Sequence, residues 1–491
     1  MSTKRHTMYN LGGALAPVLM MLVTVPAYIH LVGEARYGVL AIVWVLTGYF
    51  SFFDFGLGRA TAYAIARHKD SSDEIRAQTF WTALLVNCIF GLVGGLVLLV
   101  AAPLLFNKVF NLTPALRAEL APVLPWLSLS IPLLTFEGVF TGALTGREKF
   151  LLLNVRTIIG TAITQFLPIL FVWAISPSLA VALPATILAR AISVALLAAI
   201  SFKAVPAGWK PMYGGRAMMK DLLGYGGWVS FSSFLNPLIS NLDRFLIASL
   251  LTPQAVAHYV VPFQLVTRGS VFSSALSSAL FPRMARLDKN EARDLAWRGI
   301  RINGALMAIP CMVGILIMQP FLSVWINPGF AAQSALVGQI LALSLWLNAM
   351  ALIPFNLLQA QGRPKETTAI LIIQVIPFVL TAVPAVKMVG VVGAALARNV
   401  RSLADVSMLV QRTGLLGRTA KLAAAPLVLI VATIASARFV GVDNSAGILA
   451  GLALLALAGV WVWTVCPEVR QITRLRSMRL TDLRAIMRPQ P

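Results

Sequence analysis

Charge is scarce in this chain of 491 residues: Asp, Glu, Lys and Arg together make up 12%. That share is about half of the roughly 25% typical of soluble proteins. Hydrophobic residues instead account for 58%, and the mean hydropathy is +0.82. A water-soluble fold cannot bury so much apolar surface. The composition therefore excludes a soluble enzyme, a disordered chain and a disulfide-stapled scaffold, and it predicts a membrane protein.

Residues that carry metal, redox or phosphate chemistry are also few. Cys88, Cys311 and Cys466 are the only cysteines, and they lie far apart in apolar stretches, so we expect neither a disulfide framework nor a metal site. The four histidines show no ligand spacing. The sequence contains no G-x-x-x-x-G-K-[ST] phosphate loop, so we expect this chain not to hydrolyse ATP and to bind no cofactor.

Long charge-free runs are what the sequence does have, the longest being the 61 residues of 302–362. A membrane-spanning helix needs about 20 mostly apolar residues. On this basis we predict fourteen spans, near 9–32, 38–60, 79–106, 120–146, 151–175, 179–202, 222–251, 255–281, 300–326, 334–361, 367–386, 391–411, 422–440 and 446–466.

The basic residues alternate between the two sides of these spans. When a residue at the end of a span is assigned to the adjoining loop, 28 of the 40 Lys and Arg fall in the termini and in the loops after even-numbered spans, 5 fall in the opposite loops, and 7 lie well inside spans. Cytoplasmic loops of membrane proteins are enriched in Lys and Arg. We therefore predict a multi-pass protein of the bacterial inner membrane with both termini in the cytoplasm. The net charge of +22 is then a topology signal and does not require nucleic acid as a partner.

Short segments recur in order at offsets of 208 to 222 residues: 146–149 at 362–365, 188–190 at 396–398, and Tyr37 at Tyr259. A six-span unit used twice explains this pattern, and an even number of spans gives both copies the same orientation. We predict an all-α polytopic membrane protein of about 14 helices, in which two parallel six-helix lobes surround a central cavity and an extra C-terminal pair follows. The predicted regions are an N-lobe at 1–203, a cytoplasmic linker at 204–221, a C-lobe at 222–412, spans 13 and 14 at 413–466, and a basic tail at 467–491.

Eleven ionisable side chains fall within the predicted spans. The seven cations are all arginine: Arg59, Arg156, Arg190, Arg244, Arg268, Arg398 and Arg401. The four acids are Asp54, Glu137, Asp243 and Asp405. A charge at mid-membrane costs about 2.5–3.5 kcal/mol even on the mildest scale, so most of these groups should face a wet cavity or one another. For Arg59 and Arg156, near the cytoplasmic face, snorkelling or structural pairing is an open alternative.

The excess of arginine favours an anionic ligand, because arginine stays charged and binds phosphate through two parallel hydrogen bonds. Polar residues in span 7 follow helical spacing at Ser233, Asn236, Ser240 and Asp243, and those in span 12 do so at Arg398, Arg401 and Asp405. The predicted binding residues for a diphosphate or its glycan are Arg59, Arg190, Arg244, Arg268, Arg398, Arg401, Asn236 and Asn241. The predicted ion-coupling or salt-bridge residues, with H⁺ or Na⁺ as the ion, are Asp54, Glu137, Asp243 and Asp405.

Several motifs resemble one known family: Asn10, Gly33-x-x-x-Tyr37-Gly38, Asp54-Phe55-Gly56-Leu57, Leu242–Ile247 and Tyr259. Over about residues 1–412 the chain resembles the polysaccharide-transport (O-antigen and exopolysaccharide flippase) family of the multidrug/oligosaccharidyl-lipid/polysaccharide exporter superfamily. It is also similar to the lipid II flippase. The resemblance implies transport of an undecaprenyl-diphosphate-linked oligosaccharide by alternating access, with the bilayer and glycan polymerase or assembly proteins as further partners.

Three alternatives stay open at the level of sequence. One is an exporter of soluble drugs or metabolites from the same superfamily, although a pump for cations would need an acidic cavity. Another is a lipid II flippase. The third is a membrane enzyme such as a glycan polymerase, which the short outer loops disfavour. The tail at 467–491 is either an amphipathic helix on the inner leaflet or a disordered basic segment.

Overall fold

A computed structural model describes residues 3–67, 72–205, 211–220, 222–223, 239, 241–441 and 444–468. Side chains are described from Ala16 onward, except those of Ser51 and Phe150. Within these ranges the chain is almost wholly helical and contains no strand. The all-α prediction is confirmed.

The described helices are Thr3–Phe50, Leu57–Arg67, Asp73–Leu104, Pro114–Leu120, Ser130–Gly146, Phe150–Ala174, Leu179–Ala204, Leu242–Leu250, Pro253–Arg268, Ser270–Met284, Lys289–Trp325, Pro328–Ala360, Pro364–Ile373, Val375–Arg412, Leu416–Phe439 and Ser445–Val465. Tighter 3₁₀ turns at Ser51–Asp54 and Ala121–Leu129 and a wider π turn at Leu105–Val109 extend some of them. Over the described ranges, ten continuous helical stretches are long and apolar enough to cross a membrane.

Two of these ten stretches each contain two of the predicted spans. Thr3–Phe50 is broken at Gly33, where φ is 81°, and Val375–Arg412 is broken at Gly390, where φ is 62°. Glycine adopts a positive φ at little cost, so the chain reverses there with almost no loop. Both breaks fall in the short connections that the sequence predicts between spans 1 and 2 and between spans 11 and 12.

Spans 7 and 8 account for the rest of the difference from fourteen. Most of span 7 lies outside the described residues, and its described end is the helix Leu242–Leu250. Span 8 is divided at Gly269 into Pro253–Arg268 and Ser270–Met284. The other predicted spans agree with the described helices, except that span 2 is interrupted by the turn at Phe55 and Gly56 and span 11 by a break at Gln374.

The chain divides into two compact units, Met1–Ala257 and His258–Pro491. Buried residues such as Phe80, Phe140 and Leu197 form the core of the first unit. In the second unit, Trp346 is almost fully buried, and its indole nitrogen donates to the carbonyl of Gly304 over 2.9 Å. The two six-span lobes and the linker at 204–221 rest on the sequence repeat and stay a prediction.

Glycines in the first unit allow two helices to touch backbone to backbone. Gly138, Gly142 and Gly146 recur every four residues on Ser130–Gly146. A Cβ on Gly142 would lie 2.1 Å from the carbonyl oxygen of Gly58 on Leu57–Arg67. Small residues at this spacing are typical of closely packed membrane helices. We name these three glycines the glycine seam.

Candidate functional site

A charged cluster lies in the first unit where the helices of spans 4, 5 and 6 meet. Arg156 Nη1 donates to Glu137 Oε1 over 2.8 Å, and Arg156 Nη2 donates to Ser193 Oγ over 3.1 Å. Arg156 is buried, whereas the Glu137 side chain is 32% exposed. Gly160 leaves room for this arrangement, because a Cβ there would lie 2.5 Å from Ser193 Oγ. The structure therefore pairs Arg156 with Glu137, an alternative that the sequence left open.

Arg190 joins the same cluster. It lies three residues before Ser193 on Leu179–Ala204 and is half-buried. Electrostatic interactions couple it to both Glu137 and Arg156. One carboxylate is thus paired with Arg156 and also attracts Arg190, so this cluster has one more positive than negative charge, which an anion can neutralise.

A second cluster surrounds Asp54 at the end of the 3₁₀ turn. The next residues, Phe55 and Gly56, have φ values of 44° and 63°, so the backbone turns sharply beside this carboxylate. Asn87 Nδ2 donates to Asp54 Oδ1 over 3.1 Å, and the backbone N–H of Gly58 also donates to the carboxylate. Arg59 is exposed and interacts with Asp54 electrostatically. Neutral donors thus hold Asp54 in place.

Sequence reasoning missed the amide in this second cluster. Asn87 is fully buried, and the nitrogen that donates to Asp54 also donates to the carbonyl of Thr135 over 3.0 Å. Thr135 in turn donates its hydroxyl to the carbonyl of Asn87 over 3.2 Å. A polar residue inside the charge-free run 77–107 is the sequence signal that could have identified Asn87.

The described end of span 7 lies in the first unit. Asp243 is buried, and its Oδ1 accepts from the backbone N–H of Arg244 over 2.9 Å. Arg244 lines a small apolar pocket together with Tyr49 and Phe245, whose ring centroids are 6.5 Å apart. Asn241 is half-buried and immediately precedes this helix. The predicted binding residue Asn236, like Ser233 and Ser240 of the same stripe, lies outside the described residues.

Span 12 carries the predicted charged stripe of the second unit. Arg398 is buried, and its guanidinium carbon lies 4.5 Å from the ring centroid of Phe263. Arg401 lies 5.2 Å from the ring centroid of Phe378. Cation–π contacts of this kind hold a guanidinium in place without neutralising its charge.

Asp405 on the same helix accepts from Gln374 Nε2 over 2.8 Å and interacts electrostatically with Arg401. The helical spacing of Arg401 and Asp405 thus brings the two charges close enough for electrostatic attraction, although the amide donor Gln374 is not evident from the sequence. Arg268 ends the helix Pro253–Arg268, directly before the break at Gly269, and is exposed.

The predicted site residues thus form several groups. Glu137 lies with Arg156 and Arg190, Asp54 with Arg59, Asp243 beside Arg244, and Asp405 with Arg401. Seven arginines and four acids leave a charge surplus of about three on these helices. Across the part of the chain that the structure describes, no three His, Cys, Asp or Glu side chains meet as metal ligands.

Long apolar helices with charged side chains held between them are typical of multi-pass membrane proteins that handle polar or charged molecules. The family model described as "Polysaccharide biosynthesis protein" matches residues 3–288, which is more than half of the chain. The chain belongs to this family. The resemblance inferred from the sequence is thereby confirmed.

Known relatives agree with this assignment. The chain is 26% identical over 419 residues to a protein of Shigella flexneri named "Putative O-antigen transporter", with 83% of this chain and 97% of the relative covered. The fold is similar to that of the lipid II flippase MurJ in an inward closed conformation, with a TM-score of 0.67 at 13% identity, covering 93% of this chain and 98% of MurJ. It is also similar to a multidrug-resistance MATE transporter in an inward-facing conformation, with a TM-score of 0.62 at 16% identity, covering 85% and 96%.

Proposed function

We propose that this protein is a flippase that moves a polyprenyl-diphosphate-linked oligosaccharide from the cytoplasmic to the outer leaflet of the bacterial inner membrane by alternating access. Both termini lie in the cytoplasm in this proposal. Membership of the polysaccharide biosynthesis family supports transport of a glycan precursor. The observation that carries the proposal is the surplus of arginine over acid on the spanning helices.

Arginine suits the diphosphate that such a substrate carries. A guanidinium offers five N–H donors in a rigid fork that matches phosphate oxygens, and it keeps its charge when buried. The Arg156, Glu137 and Arg190 cluster contains two such groups for one carboxylate. An exporter of cationic drugs requires the opposite balance, because a buried cation is stabilised by surplus acid.

The membrane potential supplies a driving force for this direction of transport. A diphosphate of charge near −2 that moves outward, down an inside-negative potential of about 100 mV, gains about 4–5 kcal/mol. Coupling to H⁺ or Na⁺ would add to this, and Asp54 is our candidate for the coupling residue because neutral donors hold its carboxylate beside a sharp turn. No other cofactor is part of the proposal.

Reconstitution into liposomes tests the function directly. Vesicles loaded with a fluorescent undecaprenyl-diphosphate oligosaccharide are given an inside-negative potential, and a membrane-impermeant glycosidase measures how much glycan becomes accessible outside. We expect accessibility to rise several-fold faster than in protein-free vesicles and in vesicles without a potential. Parallel assays with lipid II and with efflux of a cationic dye test the two transport alternatives. If the dye moves and the lipid-linked oligosaccharide does not, the protein is a soluble-substrate exporter.

A further inference from the structure

An apolar cavity of about 400 Å³ lies in the first unit. Its walls come from spans 3, 4 and 6 and from the chain segment that follows span 6. The lining includes Trp81, Leu85, Cys88, Phe140, Phe202 and Tyr213. Its volume is in the range of pockets that hold a small ligand, which is about 300–1,000 Å³.

One wall of this cavity is a connecting segment that is held against span 3. The backbone N–H of Gly214 donates to Thr82 Oγ1 over 2.9 Å, and Thr82 is fully buried. A Cβ on Gly214 would lie 2.3 Å from the sulfur of Met218. The segment Pro211–Tyr213 is therefore fixed in place over the aromatic side chains of the spans, and the cavity is part of the folded structure.

The cavity reaches the exposed apolar surface of span 3 at Leu85, and we call this side its mouth. Leu85 at the mouth is 49% exposed, and Leu92, two turns further along the same face, is 60% exposed. Apolar side chains exposed on a spanning helix face lipid. An apolar chain can thus enter this cavity from the bilayer.

Exposed basic residues lie close in the chain to the fixed segment, and we call them the basic rim. Lys203 precedes the segment, Arg216 and Lys220 follow it, and all three are exposed. Basic residues beside an apolar surface favour an amphiphile whose polar end is anionic. The cavity and its rim together match a lipid with a long apolar chain and a phosphate end.

We propose that this cavity binds a section of the isoprenoid chain of the polyprenyl carrier while the transporter translocates the attached glycan. The inference rests on the proposed function, because that function names a polyprenyl lipid as the substrate. A straight acyl chain gains little on leaving surrounding lipid, which is equally apolar. A chain with regular methyl branches gains dispersion contacts when the branches fill crevices between aromatic rings. The rings of Trp81 and Phe202, 5.5 Å apart, form one such aromatic wall.

Cys88 reports on occupancy of the cavity. The variant C311A/C466A keeps Cys88 as its single cysteine, and in phosphatidylcholine nanodiscs the rate of its labelling by N-ethylmaleimide is measured. We expect undecaprenyl phosphate to slow labelling at least fivefold and dioleoyl phosphatidic acid, which has the same kind of head and straight chains, to leave the rate unchanged. Equal protection by both lipids, or protection by neither, overturns the inference.

A pair of tryptophan substitutions on one helix face adds a functional arm. L85W fills the mouth of the cavity, and L92W places the same ring on the lipid-facing surface beyond it. We expect L85W to weaken binding of undecaprenyl phosphate, measured by native mass spectrometry, about tenfold and to slow transport, while L92W matches the wild type. If both variants bind and transport alike, the inference fails although the wild type is a flippase. If the wild type does not translocate the lipid-linked oligosaccharide, the proposed function fails, and Cys88 protection then decides separately whether the cavity binds the chain.

Discussion

Removal of Arg156 should destabilise the protein, because Glu137 then loses its cationic partner. In the variant R156M the Glu137 carboxylate loses the guanidinium that lies 2.8 Å away, and Ser193 loses a donor. Breaking a fully buried ion pair costs about 3–5 kcal/mol. The Glu137 side chain is 32% exposed, so water compensates in part, and we expect a loss of about 2–3 kcal/mol. At roughly 2–3 °C per kcal/mol for a unit of this size, the melting temperature should fall by about 4–9 °C.

The second half of the experiment also removes the unpaired charge of the Glu137 carboxylate. In the variant R156M/E137Q both partners are neutral, and neutral replacements of a buried ion pair are often nearly as stable as the pair itself. We expect this double variant to recover most of the lost melting temperature, measured on detergent-purified protein by intrinsic fluorescence. If R156M has the same melting temperature as the wild type, or if the double variant has a melting temperature no higher than that of R156M, the ion pair does not stabilise this unit.

Three further predictions concern other residues of the spanning helices. R398A should abolish glycan export at normal protein abundance, and R398K should export only in part, because lysine lacks the paired N–H donors of a guanidinium. Full export by R398A would show that this arginine does not bind the anion. R401A should lower protein abundance on immunoblots, because Asp405 then has no arginine beside it, and R401A/D405A should restore the abundance. Equal abundance of the wild type, R401A and R401A/D405A would refute the interaction. G142A should lower the melting temperature by several degrees because its Cβ would meet the Gly58 carbonyl at 2.1 Å, whereas G48A, with open space at that position, should not; equal melting would contradict the close contact.

Local sequence signals predicted the helices well, because the membrane imposes a length and a composition on every span. The breaks at Gly33 and Gly390 divide continuous helical stretches at the short connections that the alternation of basic residues indicates. Where helical spacing brings residues together, as with Arg401 and Asp405, the sequence also predicted a real interaction.

Contacts between different helices could not be predicted in this way. Asn87 reaches Asp54 from 33 residues away, and Arg156 reaches Glu137 from 19 residues away, so neither pair leaves a periodic signal. Packing of two helices decides such contacts, and a single sequence does not state which faces meet. The glycine seam is the exception, because its spacing of four is visible in the sequence once a partner helix is known.

The glycine seam places the Asp54 cluster next to the cluster of Glu137, Arg156 and Arg190. A Cβ on Gly138 would lie 2.4 Å from Asp54 Oδ1, so the Asp54 carboxylate lies beside Gly138, the residue that follows Glu137. If Asp54 binds the coupling ion and the arginines beside Glu137 bind the diphosphate, as we propose, each ligand must change the affinity of the other by the same factor, because linkage between two sites is reciprocal. A diphosphate held by Arg190 and Arg156 would then alter the ion affinity of Asp54 by the same factor as the ion alters its own.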